Sequence, residues 1–575
     1  MTQRVADELV SRLVEAGVKR IYGIVGDSLN PVTDAVRRNG KLQWVHVRHE
    51  ETAAFAAGAE AQLTGKLTAC AGSCGPGNLH LINGLFDAHR SMAPVIAIAS
   101  HIPSTEIGTG YFQETHPENL FKECSHYCEL IWNPKQMPRV LHIAMQSAVG
   151  KRGVGVIVLP GDVAGMEMPT DAFPRSILTH RPAVRPCEED ITRLAEVLNS
   201  AKRVALFCGF GCADAHDEVV ALADKLKAPV GCAYRGKPYV AYDNPFEVGM
   251  TGLLGYRSAY EAMHECDVLV LLGTNFPYDK FLPSKQFIAQ VDIQVDQLGR
   301  RSKIDLGLWG DVKETIRALL PMLQTKNDQA FLDRMLNKHR DALKKLNVYV
   351  EHIGKRRPMH PEPVAAMLDE IASDDAIFTA DTGMCNVWSS RYIHPMKGRR
   401  LIGSFMHGSM ANALPQAIGA QLAFPDRQVI SMSGDGGLAM LMGDLLTVTQ
   451  YDLPVKIIVF NNSALGMVKL EMEVVGLPDW QTDNKNPNFA KVAEAIGLLG
   501  VRIEDPADIR SGLRKALAHS GPALIDVVTD PSVLSMPSHI TADQVEGFGL
   551  TMMKLVLSGH IDEVVDTIEA NLREV

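Results

Sequence analysis

The sequence predicts an α/β protein of three doubly wound parallel-sheet domains followed by a C-terminal helical tail. Short apolar, strand-like runs alternate with helical patterns along most of the chain. These runs fall into three sets, separated by Pro-containing stretches at 166–186 and 352–363. At 575 residues the chain is also too long for one hydrophobic core.

The first set, RIYGIV, LTACAG, PVIAIAS and GVIVLP, defines a domain over 1–180. RVALFCGFG, PVGCAY, DVLVLLGTN and FIAQVDIQVD define a second over 181–335. The charged segment from Lys326 to Tyr349 reads as an exposed helix. AIFTADTG, QVISMSGDGG, VKIIVFNN and ALIDVVTD define a third domain over 336–530, and a tail occupies 531–575. In that tail Leu550, Met553, Leu557, Ile561, Val564, Ile568 and Leu572 recur at helical spacing, which predicts an amphipathic helix over 549–575. There is no tandem repeat or low-complexity tract.

Composition is that of an ordinary globular protein, 46% hydrophobic and 22% charged. A net charge of −10 with no basic block argues against a nucleic-acid partner. No run approaches the roughly 18 apolar residues of a membrane span, and MTQRVADELV lacks the apolar centre of a secretion signal. Ten scattered cysteines suit a reducing cytoplasm. Cys124-Ser-His126-Tyr-Cys128 imitates half a zinc site, but no further ligands stand nearby, so buried thiols are expected.

Two short motifs carry chemistry. Gly434-Asp435-Gly436-Gly437 follows a strand and opens a helix, so backbone N–H groups can approach a phosphate and Asp435 offers a hard oxygen fit for Mg²⁺. Asn461-Asn462 ends the strand-like VKIIVF, and carboxyl ends of neighbouring parallel strands are where such folds bind ligands. Each motif alone reads as a turn; together they suggest a diphosphate–Mg²⁺ site. A second feature is RHEETAAFAAGAEAQ, where Glu50 and Glu51 stand at a strand-to-helix corner before an alanine-rich helix. First-turn charge against the helix dipole accounts for one carboxylate, and a buried chemical acid is the other reading.

The pair GDG…NN resembles the signature of thiamine-diphosphate (ThDP) enzymes. With VGDSLNPV, AGSCGPGNLHLINGLFDAHR, YFQETHPENLFKECSHYCE, GMTGLLGY, GTNFPYD, GSFMHGSMANALPQAIGAQ and FNNSALGMVKLEME, the chain resembles the pyruvate oxidase family, in its quinone-linked branch, over nearly its full length. The resemblance implies aminopyrimidine-binding, FAD-binding and diphosphate-binding domains in that order. It implies a cofactor held between the first domain of one subunit and the third of another, hence at least a dimer, with a tetramer expected. Glu50 matches the acid that contacts the aminopyrimidine N1′, leaving Glu51 as helix-start charge; spacing alone does not choose between them. Met410 matches the apolar wedge under the cofactor, and Gly408 and Ser409 match backbone contacts to its pyrimidine. Asp435, Asn462 and the carbonyl of Ala464 match the Mg²⁺ ligands. Gly436, Gly437 and the turn Ser463, Ala464, Leu465, Gly466 match the diphosphate cradle.

His80, Phe112, Gln113, Thr382, Met467 and Glu471 align with the pocket for a small 2-oxo acid, pyruvate by resemblance. His80 and Phe112 have ordinary packing readings too. Thr382 stands where many relatives carry Val, and Met467 where others carry a bulky aromatic, so an aromatic gate between thiamine and flavin is in doubt. For FAD, CGFGC is half a dinucleotide fingerprint, with Asp214 at the third glycine. FAD therefore rests on resemblance at Thr251, Gly252, Leu253 and Leu254, at Thr274, Asn275, Phe276, Pro277 and Tyr278, and at Asp292, Ile293, Gln294, Val295 and Asp296. The activity implied is oxidative decarboxylation of pyruvate to acetate, with electrons passing through FAD to a membrane quinone. The rivals are a phosphate- and oxygen-dependent oxidase making acetyl phosphate, an acetolactate-synthase-type carboligase, and a degenerate scaffold. A scaffold is disfavoured because Glu50, Asp435 and Asn462 are all present. The implied setting is cytoplasmic and peripheral on the inner face of the membrane. However, Asp562, Glu563, Asp566 and Glu569 make the tail's polar face acidic, which anionic lipid would repel.

Overall fold

Strands that are apolar along their whole length must be covered on both faces, and that requirement organises the molecule. In the computed structural model, which describes residues 3–169, 176–179, 182–351, 353, 356–533, 542–557, 564–567 and 571, eighteen strands form three six-stranded sheets. The first holds β1 (Arg20–Gly23), β2 (Gln43–His46), β3 (Thr68–Gly72), β4 (Val95–His101), β5 (Tyr127–Leu130) and β6 (Val154–Pro160), in the order β2-β1-β3-β4-β6-β5. The second holds β7 (Val204–Cys208), β8 (Val230–Cys232), β9 (Glu247–Met250), β10 (Val268–Leu272), β11 (Phe287–Asp292) and β12 (Leu306–Trp309), in the order β12-β11-β10-β7-β8-β9. The third holds β13 (Ile377–Ala380), β14 (Arg400–Gly403), β15 (Val429–Gly434), β16 (Lys456–Asn461), β17 (Leu499–Ile503) and β18 (Ala523–Val528), in the order β14-β13-β15-β16-β18-β17.

Neighbouring strands are parallel throughout, from Ile21↔Trp44 to Ile525↔Ile458, so the expected α/β class with three doubly wound sheets holds. β4 and β6 are buried at every position. The first and third sheets share one strand order although the sequence shows no repeat. The second has the order of a dinucleotide-binding fold.

Helices tie the sheets together. Glu50–Thr64 is buried almost throughout and lies against both Pro76–Arg90 and Ala413–Ala423. Small residues permit this: a Cβ on Gly84 would lie 2.6 Å from Ala54 Cβ, and one on Gly419 would lie 2.1 Å from the Ala56 carbonyl oxygen. Lys237, buried, donates from Nζ to the carbonyls of Ser390 (2.5 Å) and Ile393 (2.8 Å), joining the second unit to the third.

Two helices differ from expectation. The one expected to be exposed spans Ala330–Glu351 and buries Phe331, Leu332, Met335, His339 and Tyr349. These apolar and aromatic side chains form a stripe that meets the helix Arg257–Glu265 and β9. The tail helix spans Ala542–Leu557, starting earlier than predicted. Gly547 allows that start, since a Cβ there would lie 2.3 Å from the Val474 carbonyl oxygen, and Thr551 Oγ1 donates to the Glu473 carbonyl at 2.8 Å. Ile561, Ile568 and Leu572 lie outside the described residues.

Gly419→Ala should lower the thermal midpoint, a net loss of roughly 1–3 kcal/mol from overpacking despite the ~1 kcal/mol better helix propensity of alanine. A raised midpoint would show that the two helices tolerate a wider separation.

Candidate functional site

In the third sheet the chain leaves β13 toward β14 on one side and β15 on the other, so the loops after β13 and β15 part and open a crevice. A cavity of about 270 Å³ occupies it. Its wall includes Thr382, Gly408, Met410, Asp435, Gly436, Gly437, Asn462, Ala464, Leu465, Gly466, Met467 and Glu471, residues drawn from positions 382 to 471. Ser409 and Ser463 flank this wall. The Ser409 N–H donates to Ser404 Oγ at 3.0 Å, and Ser463 holds a φ of 54°.

Asp435 is the first residue of the helix Asp435–Met440 and is 2% exposed. Burial raises its pKa, opposed first by a hydrogen bond from Asn486. The Asn486 Nδ2 group donates to Asp435 Oδ2 at 2.5 Å and to Asn461 Oδ1 at 2.9 Å. Asn462 Oδ1 accepts the Ala464 N–H at 3.1 Å, which turns the amide oxygen toward the same loop. That loop is pinned from outside, with Leu465 N–H on the Thr482 carbonyl and Asn484 N–H on the Ser463 carbonyl, each at 2.7 Å.

The arrangement fits a diphosphate with a hard divalent cation. Asp435, Asn462 and the Ala464 carbonyl are an all-oxygen donor set. Asn484 Nδ2 is buried with no protein partner, and it would lie 3.2 Å from a Cβ at Gly436, so a donor is aimed at the cradle. A Cβ at Gly436 would also meet Leu465 Cδ2 at 3.0 Å and Met410 Cε at 3.4 Å. Met410 is half-buried in the wall, unlike a core methionine. Gly437 has a different reason to be glycine: a Cβ there would fall 1.8 Å from Asp381 Oδ2.

The other expected residues gather elsewhere. Glu50 opens the helix Glu50–Thr64 and is 6% exposed, whereas Glu51 is half-buried. His49 caps that helix, its Nδ1 accepting the Glu51 N–H at 3.2 Å. His80 Nδ1 lies 2.9 Å from Glu50 Oε2, and its ring stacks on His49 at 4.3 Å. A Cβ at Gly77 would lie 3.1 Å from Glu50 Oε1, and one at Gly75 would lie 2.9 Å from Gln113 Cβ. The AGSCGPGN loop thus brings Glu50, His80 and Gln113 together, and Cys74 Sγ donates to Gln113 Oε1 at 3.3 Å. Gln113 holds a φ of 62°, and Phe112 is 78% exposed. None of these first-unit residues belongs to the wall of the Asp435 cavity in the same chain. Glu51 instead accepts from Asn83 Nδ2 at 2.7 Å, and the same nitrogen reaches Ser409 Oγ at 2.8 Å.

A second cavity, about 170 Å³, lies beyond the carboxyl ends of β7, β8, β9 and β10, at the point where the strand order of the second sheet reverses. Thr251, Leu253, Leu254, Thr274, Asn275, Phe276, Pro277 and Tyr278 line it. Gly252, with a φ of 103°, turns the same loop. Arg235 Nη1, Thr251 Oγ1 and Asn386 Oδ1 are buried polar atoms without protein partners there, offering unmet hydrogen bonds to a polar ligand. The stretch Asp292 to Asp296 is not part of this wall. Asp292 Oδ1 accepts the Gln294 N–H at 2.9 Å, and Val295 is 55% exposed. The half-fingerprint glycines serve close approach of two loops, since a Cβ at Gly209 would lie 2.4 Å from the Gly273 carbonyl oxygen. Thr382 and Gly408 belong to the walls of both cavities.

Sequence reasoning missed Asp381, Asn484 and Asn486. Asp381 was visible as the acid ending a strand in ADTG, next to Thr382; the asparagines sit in a loop, NKNPN, that reads as a turn. Asp381 is 1% exposed, and burial pushes its carboxyl up to about 7 against hydrogen bonds from backbone N–H groups that include Gly434 and Thr382.

Models of three thiamine pyrophosphate enzyme domains match this chain: the N-terminal TPP binding domain over 3–120, the central domain over 191–319 and the C-terminal TPP binding domain over 381–527. A putative thiamine pyrophosphate-containing protein, YdaP of Bacillus subtilis, is 34% identical over 96% of both chains. A pyruvate oxidase of Lactiplantibacillus plantarum is 31% identical over 92% of this chain and 89% of its own. A probable acetolactate synthase large subunit of Methanocaldococcus jannaschii is 30% identical over 92% of both.

Asp381 gives a pH signature. Its folded-state pKa is raised from 3.8 to about 7, so its contribution to stability is full below 3.8 and is lost as the pH rises through about 7. Asp381→Asn should therefore flatten the fall in thermal midpoint between about pH 5 and 7.5, measured on the chain free of metal and cofactor. An unchanged slope would contradict this assignment.

Proposed function

Because the chain belongs to the thiamine pyrophosphate enzyme family, we propose that it oxidatively decarboxylates pyruvate to acetate and CO₂, with electrons passing through FAD to a membrane quinone. The observation that carries this reading is the shared wall of the two cavities. Thr382 and Gly408 border both the diphosphate–cation crevice and the dinucleotide crevice, so a two-electron hand-over needs no long path.

Thiamine diphosphate supplies the electron sink that lets a 2-oxo acid lose its carboxylate, and FAD supplies the two-electron acceptor. This chain's residues do the rest. Asp435, Asn462 and the Ala464 carbonyl would hold Mg²⁺, while the Gly436 turn and the Asn484 amide receive the diphosphate. Met410, in the cavity wall, would support the bound cofactor from below. Glu50 would exchange a proton with the aminopyrimidine, its Oε2 steadied by His80 and its Oε1 beside Gly77. His80 and Gln113 offer hydrogen bonds to the substrate from one side, with Thr382, Met467 and Glu471 on the other. Since Glu50 and the Asp435 cavity do not meet within a chain, a second copy completes the site, and a dimer or higher oligomer is the working form.

One feature supports the quinone as acceptor. On the helix Ala542–Leu557, Leu550, Met553 and Leu557 are exposed while Thr551 and Leu555 are buried, which leaves an apolar stripe for a lipid surface. Among the described residues no helix is long and apolar enough to cross a membrane.

Anaerobic pyruvate should bleach the bound flavin, and only when thiamine diphosphate and Mg²⁺ are both supplied; acetolactate formed without bleaching would overturn the reading. Glu50→Gln should slow this bleaching by at least about 100-fold while FAD stays bound. Reoxidation of the bleached enzyme should be faster with a water-soluble quinone and lipid vesicles than with oxygen and phosphate. The reverse order would make it an acetyl-phosphate-forming oxidase.

A further inference from the structure

Asn486 is not part of the cavity wall; it stands behind Asp435, half-buried, on the loop before the helix Phe489–Ala495. It ends a hydrogen-bond chain that crosses the third sheet. Arg502 Nη1 donates to Asp526 Oδ2 at 2.5 Å, and the Phe489 N–H reaches the same oxygen at 3.0 Å. Asn461 Nδ2 donates to Asp526 Oδ1 at 2.8 Å, and Asn486 Nδ2 then donates to Asn461 Oδ1 at 2.9 Å and to Asp435 Oδ2 at 2.5 Å.

The direction of this chain is not free. Amide oxygen and nitrogen are normally interchangeable by a flip, but a carboxylate paired with arginine only accepts. Asp526, 0% exposed, therefore obliges Asn461 to turn its NH₂ group inward. Asn461 then shows its oxygen to Asn486, which must turn its own NH₂ group toward it. The second N–H of that group lies against Asp435. Asn486 thus occupies Oδ2 of Asp435, and no other side chain among the described residues bonds this carboxylate, so Oδ1 is the oxygen offered to a cation.

Resting on the reading of Asp435 as a cation ligand, we propose that Asn486 is a positioning residue that sets the cation specificity of the site by holding Asp435 to single-oxygen ligation. Mg²⁺ requires near-octahedral geometry with short bonds to single oxygens, whereas Ca²⁺ accepts longer bonds, more ligands and both oxygens of one carboxylate. A clamped Asp435 suits the first and hinders the second's two-oxygen mode, since Oδ2 already accepts from Asn486 and the carboxylate cannot turn freely toward the ion. Removing the clamp frees the carboxylate to rotate, which weakens Mg²⁺ and leaves Ca²⁺ unchanged or tighter.

The test is calorimetric titration of Mg²⁺ and of Ca²⁺ into the full chain with saturating thiamine diphosphate, for wild type, Asn486→Ala and Asn486→Leu. Leu keeps the volume without the donor, and either variant decides the matter if the other fails to fold. The ratio of the Ca²⁺ to the Mg²⁺ dissociation constant should fall about tenfold or more in both variants, the usual scale for a partner behind a metal ligand. Equal weakening of both cations, or no change in either, would overturn the proposal while leaving Asp435 as ligand. A wild-type chain that takes up neither cation with thiamine diphosphate present would instead remove Asp435 from that role, and the proposal with it.

Discussion

Everything at the two half-sites depends on how closely the helix Glu50–Thr64 is held between Pro76–Arg90 and Ala413–Ala423. The alanines from Ala53 to Ala61 are buried, and glycine stands at the contact points on both neighbours, Gly84 and Gly419. Close packing of this kind loses contacts steeply with fractions of an ångström, so it fixes the position of the helix start as well as its body. Glu50 sits at that start. The same contact joins the first unit to the third within one chain, yet leaves Glu50 outside the wall of the Asp435 cavity. Within one chain Glu50 and the Asp435 cavity thus stay apart, which is why the proposed site calls on a second copy.

The sequence made much of this legible, for reasons that differ by residue. Asp435 and Asn462 were readable because loops at the carboxyl ends of parallel strands face the crevice, and a motif after a strand inherits that position. Gly437 was expected in a diphosphate cradle, and the structure adds a separate reason for its glycine, since the carboxylate of Asp381 fills the place of its Cβ. Thr251 and Thr274, matched to flavin contacts by resemblance, line the second cavity, whereas Asp292 accepts a hydrogen bond from the Gln294 N–H two residues on. The common strand order of the first and third sheets left no sequence repeat, because topology depends on apolar periodicity, which many unrelated residues satisfy.

What stayed hidden is what acts across long separations. Asn486 meets Asp435 fifty-one positions away, and the direction of its amide is decided by Asp526 on a strand further on. Local spacing carries no trace of such a chain. Asp381 and Asn484 are similar: burial and the absence of a partner identify them, and neither property exists until the sheet has formed. The site is thus held by ordinary core packing beneath it and by directed polar contacts behind it.

The central claim is that a working site takes Glu50 from one chain and Asp435 from another. It is tested most directly by mixing two inactive proteins, Glu50→Gln and Asp435→Ala, under conditions that exchange subunits. If sites are shared, mixed dimers hold one intact site of two, and pyruvate turnover should recover to about one quarter of wild type in a statistical mixture. Turnover no greater than that of the two variants kept apart, with subunit exchange verified, would contradict the account.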